Sequence, residues 1–111
     1  MTNEQRRRFL ANVVQHATRL GMEAGVRQVR EEGCENIGLM GRYERENLGL
    51  ADFEGAFVQR LARALERLGD PSAELYRYSA EVHEEAWSAW IYARNERVRR
   101  LCPGAREYGS E

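Results

Sequence analysis

Between residues 9 and 20 the apolar side chains return with helical spacing: Phe9, Leu10, Val13, Val14, Ala17 and Leu20 share one side of a helix. Just ahead of them, Thr2-Asn3-Glu4-Gln5 has the Thr-x-x-Gln form of a capping box, in which each side chain satisfies a free backbone N–H of the first turn. A first helix is therefore expected over 3–32. Strong helix formers from Glu23 to Arg30 carry it onward, and Gly33 stops it. Gly21 and Gly25 interrupt this run, each at about 1 kcal/mol relative to alanine, so any kink is expected near Gly21.

A second amphipathic stretch covers 52–68. Phe53, Phe57, Leu61, Ala64, Leu65 and Leu68 make one apolar stripe with Val58 at its edge, while Gln59, Arg60, Arg63, Glu66 and Arg67 take the other side. Asp52 is the expected N-cap. Gly69 ends the stretch, and Asp70-Pro71 caps and opens a third helix over 71–102. So short a connection forces the second and third helices into an antiparallel hairpin. The shorter member reaches only to about residue 87 of its neighbour, so the half of the last helix from Ser88 to Cys102 needs another cover. A first helix continuous to residue 32 is long enough to supply it. The last helix carries two stripes: Leu75, Tyr78, Val82, Ala86, Ala89, Trp90 and Ala93 on one, and Tyr76, His83, Trp87, Ile91 and Val98 on the other. Helices apolar on two sides are usually sandwiched between neighbours. Between the first two long helices lies a glycine-rich middle, where a short helix or ordered loop is expected around 39–47.

The fold class that follows is all-α: a small bundle of three main helices plus one short element. Residues 1–104 form a single helical domain, and 105–111 a frayed tail. Ala17, Gly21, Gly25 and Gly33 stand on a four-residue ladder with Val29 on the remaining rung. This pattern resembles the glycine-repeat helices of some export-apparatus stator proteins and, more loosely, membrane helix dimers, which implies a groove that another helix can approach closely. The neighbour is expected to be a helix of the same chain, with a homodimer seam through the Gly21/Gly25 face as the alternative.

Composition narrows the setting. A chain of 111 residues, 42% hydrophobic and 32% charged, suits one globular domain. The net charge of −1 advertises no polyanionic partner for the molecule as a whole. Cys34 and Cys102 belong to no spaced motif, so no disulfide framework is expected. The polar N-terminus and the lack of a long apolar run point to a cytoplasmic location without a membrane span.

Few of the residues suggest chemistry. His16 and His83 are the only histidines, and no third group forms a triad with either. His83 and Cys102, 19 residues apart on one helix, stand about 28 Å from each other, too far to share a metal. Glu81-Val82-His83-Glu84-Glu85 superficially resembles a carboxylate–histidine metal helix, but Ala80 stands where a Glu-x-x-His pair needs its acid. His83 is expected to pack on Trp87. Gly38-Leu39-Met40-Gly41 has the bare form of a GxxG nucleic-acid loop with an apolar centre and no flanking strands. No catalytic residue, cofactor or metal is therefore expected.

Every basic residue is an arginine. Most follow acids along their helices, as the helix dipole favours. Arg6-Arg7-Arg8 sits near the first turn of its helix and breaks that rule, which makes it the candidate nucleic-acid contact. Trp, Tyr and Arg dominate interface energetics, so the candidate partner face comprises Trp87, Trp90, Ile91 and Arg94, joined by Met40 and Tyr43. The function expected is non-enzymatic protein binding by a small regulator, adaptor or inhibitor, of the kind phage and mobile elements encode against host machinery. A helical nucleic-acid-binding regulator is the alternative. A homodimer could form through the 88–102 half of the last helix.

Overall fold

The structure, a computed structural model, describes the backbone of residues 2–68 and 73–104, and the side chains of these residues other than 64–66, 68 and 73–77. The caps expected at Gly69, Asp70 and Pro71, the contacts of Leu75 and Tyr76, and the 105–111 tail lie outside the described residues. The elements run α1 (Asn3–Leu39), α2 (Arg42–Asn47), α3 (Leu50–Leu68) and α4 (Ala73–Leu101). The all-α bundle is as the apolar periodicity predicts.

Helix α1 opens with the capping box formed in both directions: Gln5 N–H donates to the Thr2 hydroxyl at 3.2 Å, and Thr2 N–H to Gln5 Oε1 at 2.9 Å. It passes through Gly21 and Gly25 without a break. The only non-helical residue inside it is Gly33, at φ 77° and ψ 156°, a conformation that costs glycine little and other residues much. The discontinuity therefore falls at Gly33 rather than near Gly21, and one further helical turn and a half follows it to Leu39. The expected short element is α2, which begins at Arg42. Helix α3 starts two residues earlier than expected. Gly49, at φ 84°, makes the turn into it, so Asp52 lies in the first turn and pairs with Arg27 at 3.4 Å instead of capping.

The principal packing joins α1 and α4, which lie side by side and run in the same direction. The Tyr78 hydroxyl donates to the Arg6 carbonyl at 2.6 Å near one end, and Cys34 and Cys102 are joined by a disulfide near the other. Between them, Gly21 faces the Trp90 carbonyl and Gly25 the Arg94 carbonyl and Arg97 side chain. The half of α4 from Ser88 to Cys102 is thus covered by α1 of the same chain, and so is the glycine face. The disulfide overturns the expectation drawn from cysteine spacing. Its Cα atoms are 5.3 Å apart, because the register of two parallel helices brings together residues remote in sequence.

Helix α3 runs antiparallel to α4 on a second side. Phe53 stacks on Trp90 with centroids 5.1 Å apart and touches Trp87, and Phe57 meets the edge of His83 at 5.2 Å. His83 thus packs on Phe57 and stands near Glu54, not on Trp87 as expected. The two stripes of α4 divide accordingly: Val82, Ala86, Trp90 and Ala93 are buried, while His83 and Trp87 turn toward α3. Among the described residues no helix is long and apolar enough to cross a membrane.

Candidate functional site

The residues expected to form a partner face separate into an interior group and a surface group. Trp90 is 1% exposed and Arg94 fully buried, so neither presents its side chain at the surface. Burying a guanidinium is costly unless its donors are satisfied, and here they are. Arg94 Nη1 donates to the Leu48 carbonyl at 2.6 Å, Nη2 to Asn95 Oδ1 at 2.9 Å, and the group lies over the Trp90 ring at 4.9 Å. Burial pushes its pKa down to about 10, partly offset by the nearby Glu46 carboxylate. It is still a cation at neutral pH.

The Leu48 carbonyl belongs to the C-cap of α2. A six-residue helix has no stability of its own, so Arg94 is the group that anchors it to α4. Local bonds complete the hold: Arg42 pairs with Glu46 at 2.9 Å, and the Asn47 amide donates to the Tyr43 carbonyl at 2.7 Å. Gly49 follows, tucked against the Trp90 ring where a Cβ would be crowded.

Beside the exposed Arg42 and Glu44, the junction of α1 and α2 also shows large apolar side chains to solvent. Tyr43 is 78% exposed and Leu39 66%, with the partly covered Met40 between them. A short helix at this place would be expected to tuck Leu39, Met40, Tyr43 and Leu48 beneath it; Leu39 and Tyr43 instead stay exposed. Trp87 and Ile91 are half-buried, Trp87 being stacked on Trp90 at 5.2 Å. Tyr92 is also well exposed. It lies on neither apolar stripe of α4, which was the sequence signal for its position.

The arginine cluster at the N-terminus is partly engaged within the chain. Arg6 lies over the Tyr78 ring at 5.7 Å and Arg8 pairs with Glu4 at 2.7 Å, while Arg7 is exposed. Among the described residues, no three or more His, Cys, Asp or Glu side chains come together where they could hold a metal ion.

Comparison with protein-family models, curated proteins and solved structures finds no match. The functional reading therefore rests on the chain's own geometry. That geometry offers two surfaces: the 39–43 ridge, and a cleft between α1 and α3 lined by His16, Arg60, Arg63 and Arg67. Sequence reasoning placed those three arginines on the solvent side of their helix and missed that α1 stands opposite them.

Proposed function

We propose that this chain is a non-enzymatic protein-binding module, a small regulator, adaptor or inhibitor, whose contact ridge is Leu39, Met40 and Tyr43, with Trp87 and Ile91 as the half-buried part of the face. The observation that carries this reading is the exposure of Leu39, at the end of α1, and of Tyr43 on α2, whose C-cap carbonyl is held by buried Arg94. Large apolar side chains fixed in place lose little freedom on binding, so their burial in a partner goes largely into affinity. Trp90 and Arg94 serve this face as its internal support.

The nucleic-acid alternative draws less support, because Arg6 and Arg8 already contact Tyr78 and Glu4. The Cys34–Cys102 bridge supports work in an oxidising compartment rather than the cytoplasm expected from composition. The test is capture from cells of the native host with the full chain as bait. A Leu39→Ser/Tyr43→Ala variant should lose the captured protein by roughly tenfold or more, while a Val58→Ser variant, altered at an exposed site on α3, should retain it. Equal capture by all three would sink the ridge as the contact.

A further inference from the structure

Helix α3 makes only sparse contact with α1, and a cleft of about 420 Å³ opens between them beside the N-terminal half of α1. Phe9, Val13 and Ala56 give it an apolar portion beside the polar Asn12 and Gln59, and α3 adds Arg60, Arg63 and Arg67. What sets these arginines apart is that three of them line one cleft without an acid beside them. Arg8, Arg27, Arg42 and Arg99 each stand within ion-pair distance of an acid. Among the described residues Arg60, Arg63 and Arg67 meet none, and all three are exposed. Of the three, Arg60 acts on His16 on the opposite wall. Its imidazolium form is disfavoured first by burial and then by Arg60 and Arg19, against a weaker pull from Glu23.

The three arginines occupy positions i, i+3 and i+7 of one helix, a row about 10 Å long. A second helix laid along the cleft repeats with the same period, so acids at i, i+3 or i+4, and i+7 would meet the row in register. A phosphate backbone would use the charges but has no need of an apolar portion. An amphipathic helix uses both: its apolar side chains enter onto Phe9, Val13 and Ala56 while its acids reach the arginines.

We propose that the α1–α3 cleft is a docking groove for an acidic amphipathic helix of a partner protein. This deepens the protein-binding reading by naming a second contact and its chemistry, and it stands or falls separately from the 39–43 ridge.

The probe is a fluorescent, stapled helix of about 16 residues, since shorter unstapled helices are marginal in water. It carries leucines along one edge and glutamates at i, i+3 and i+7 beside them. A control peptide has the same composition with the leucine and glutamate positions shuffled out of helical register. Binding to the full chain is followed by anisotropy, and its location by the His16 ring signals in NMR. The expected result is binding at least about tenfold tighter for the registered peptide than for the shuffled one, with His16 signals moving on titration. Binding should fall by a similar factor in Arg60→Glu/Arg63→Glu/Arg67→Glu, and in Ala56→Trp, which fills the groove without changing charge. Circular dichroism checks that both variants are folded.

Equal binding of the two peptides, unmoved His16 signals, or undiminished binding by folded Ala56→Trp would overturn the groove. A short DNA duplex that displaces the peptide and binds more tightly would transfer the site to nucleic acid and overturn the proposal. Failure of the peptide while Leu39→Ser/Tyr43→Ala still loses its captured protein removes the groove and leaves the ridge standing.

Discussion

Gly21 of α1 faces the main-chain carbonyl of Trp90 on α4, so closely that a β-carbon at position 21 would collide with that oxygen. Backbone cannot swing aside as the tip of a long side chain can. Gly21→Ala should therefore lose more through the overpacked crossing, about 1–3 kcal/mol, than the roughly 1 kcal/mol it gains in helix propensity. Gly55, also helical, has open space around it, and Gly55→Ala should stabilise by up to about 1 kcal/mol. Thermal melts of the two variants should shift in opposite directions. A stabilised Gly21→Ala would mean that the crossing is not close.

The disulfide closes a loop with a sequence separation of 68. On the chain-entropy account a bridge of this span is worth about 4 kcal/mol. Urea unfolding with and without reductant measures it directly, and Cys34→Ser/Cys102→Ser should match the reduced wild-type chain.

Arg94 gives a sharper test of what holds α2. Arg94→Met keeps an unbranched chain over Trp90 but removes the partners of the Leu48 carbonyl and of Asn95 Oδ1. A cost of about 2–3 kcal/mol is expected for losing charge-assisted hydrogen bonds. Hydrogen exchange should rise first at residues 42–48. Global destabilisation with those amides no more affected than the rest would argue that α2 is held by something else.

Protonating His16 is opposed by burial and then by Arg60 and Arg19, so its pKa lies below the ordinary 6.5. The unfolded chain binds that proton more readily. Stability is therefore unaffected above pH 6.5, falls as pH drops below it, and levels off once the folded form is protonated as well. His16→Gln should flatten that part of the stability profile. If the profiles of the variant and wild type coincide, neither burial nor the arginines beside it disfavour the protonated ring at position 16.

The helices were legible because their signals are local. Thr2 and Gln5 mark the start of α1, and the Phe53–Phe57–Leu61 stripe marks α3. Even the need for a cover over the second half of α4 followed from comparing helix lengths. The pairing of α1 with α4 was harder to see, because glycines at 21 and 25 read equally well as weak points or as a contact face. Only the neighbour decides between them. The cysteines went unpaired for the same reason: the register that sets Gly21 beside Trp90 also sets Cys34 beside Cys102, and spacing within one helix cannot show it. In the sequence Arg94 looks like a surface residue, because buried arginines are rare. Its compensation comes from Leu48, far away in sequence, and from Asn95, whose neighbouring side chain is meaningful only once Arg94 is known to turn inward.

A parallel pairing of the first and last long helices also governs how the chain can fold. The α3–α4 hairpin can form from neighbouring residues, but α1 meets its principal partner only across most of the chain, as the disulfide separation of 68 illustrates. That raises the mean sequence distance between touching residues, and folding slows as that distance grows. During synthesis α1 emerges before α4 and waits with its apolar face uncovered until α4 has left the ribosome. Of these four helices, the one made first depends on the one made last for its cover.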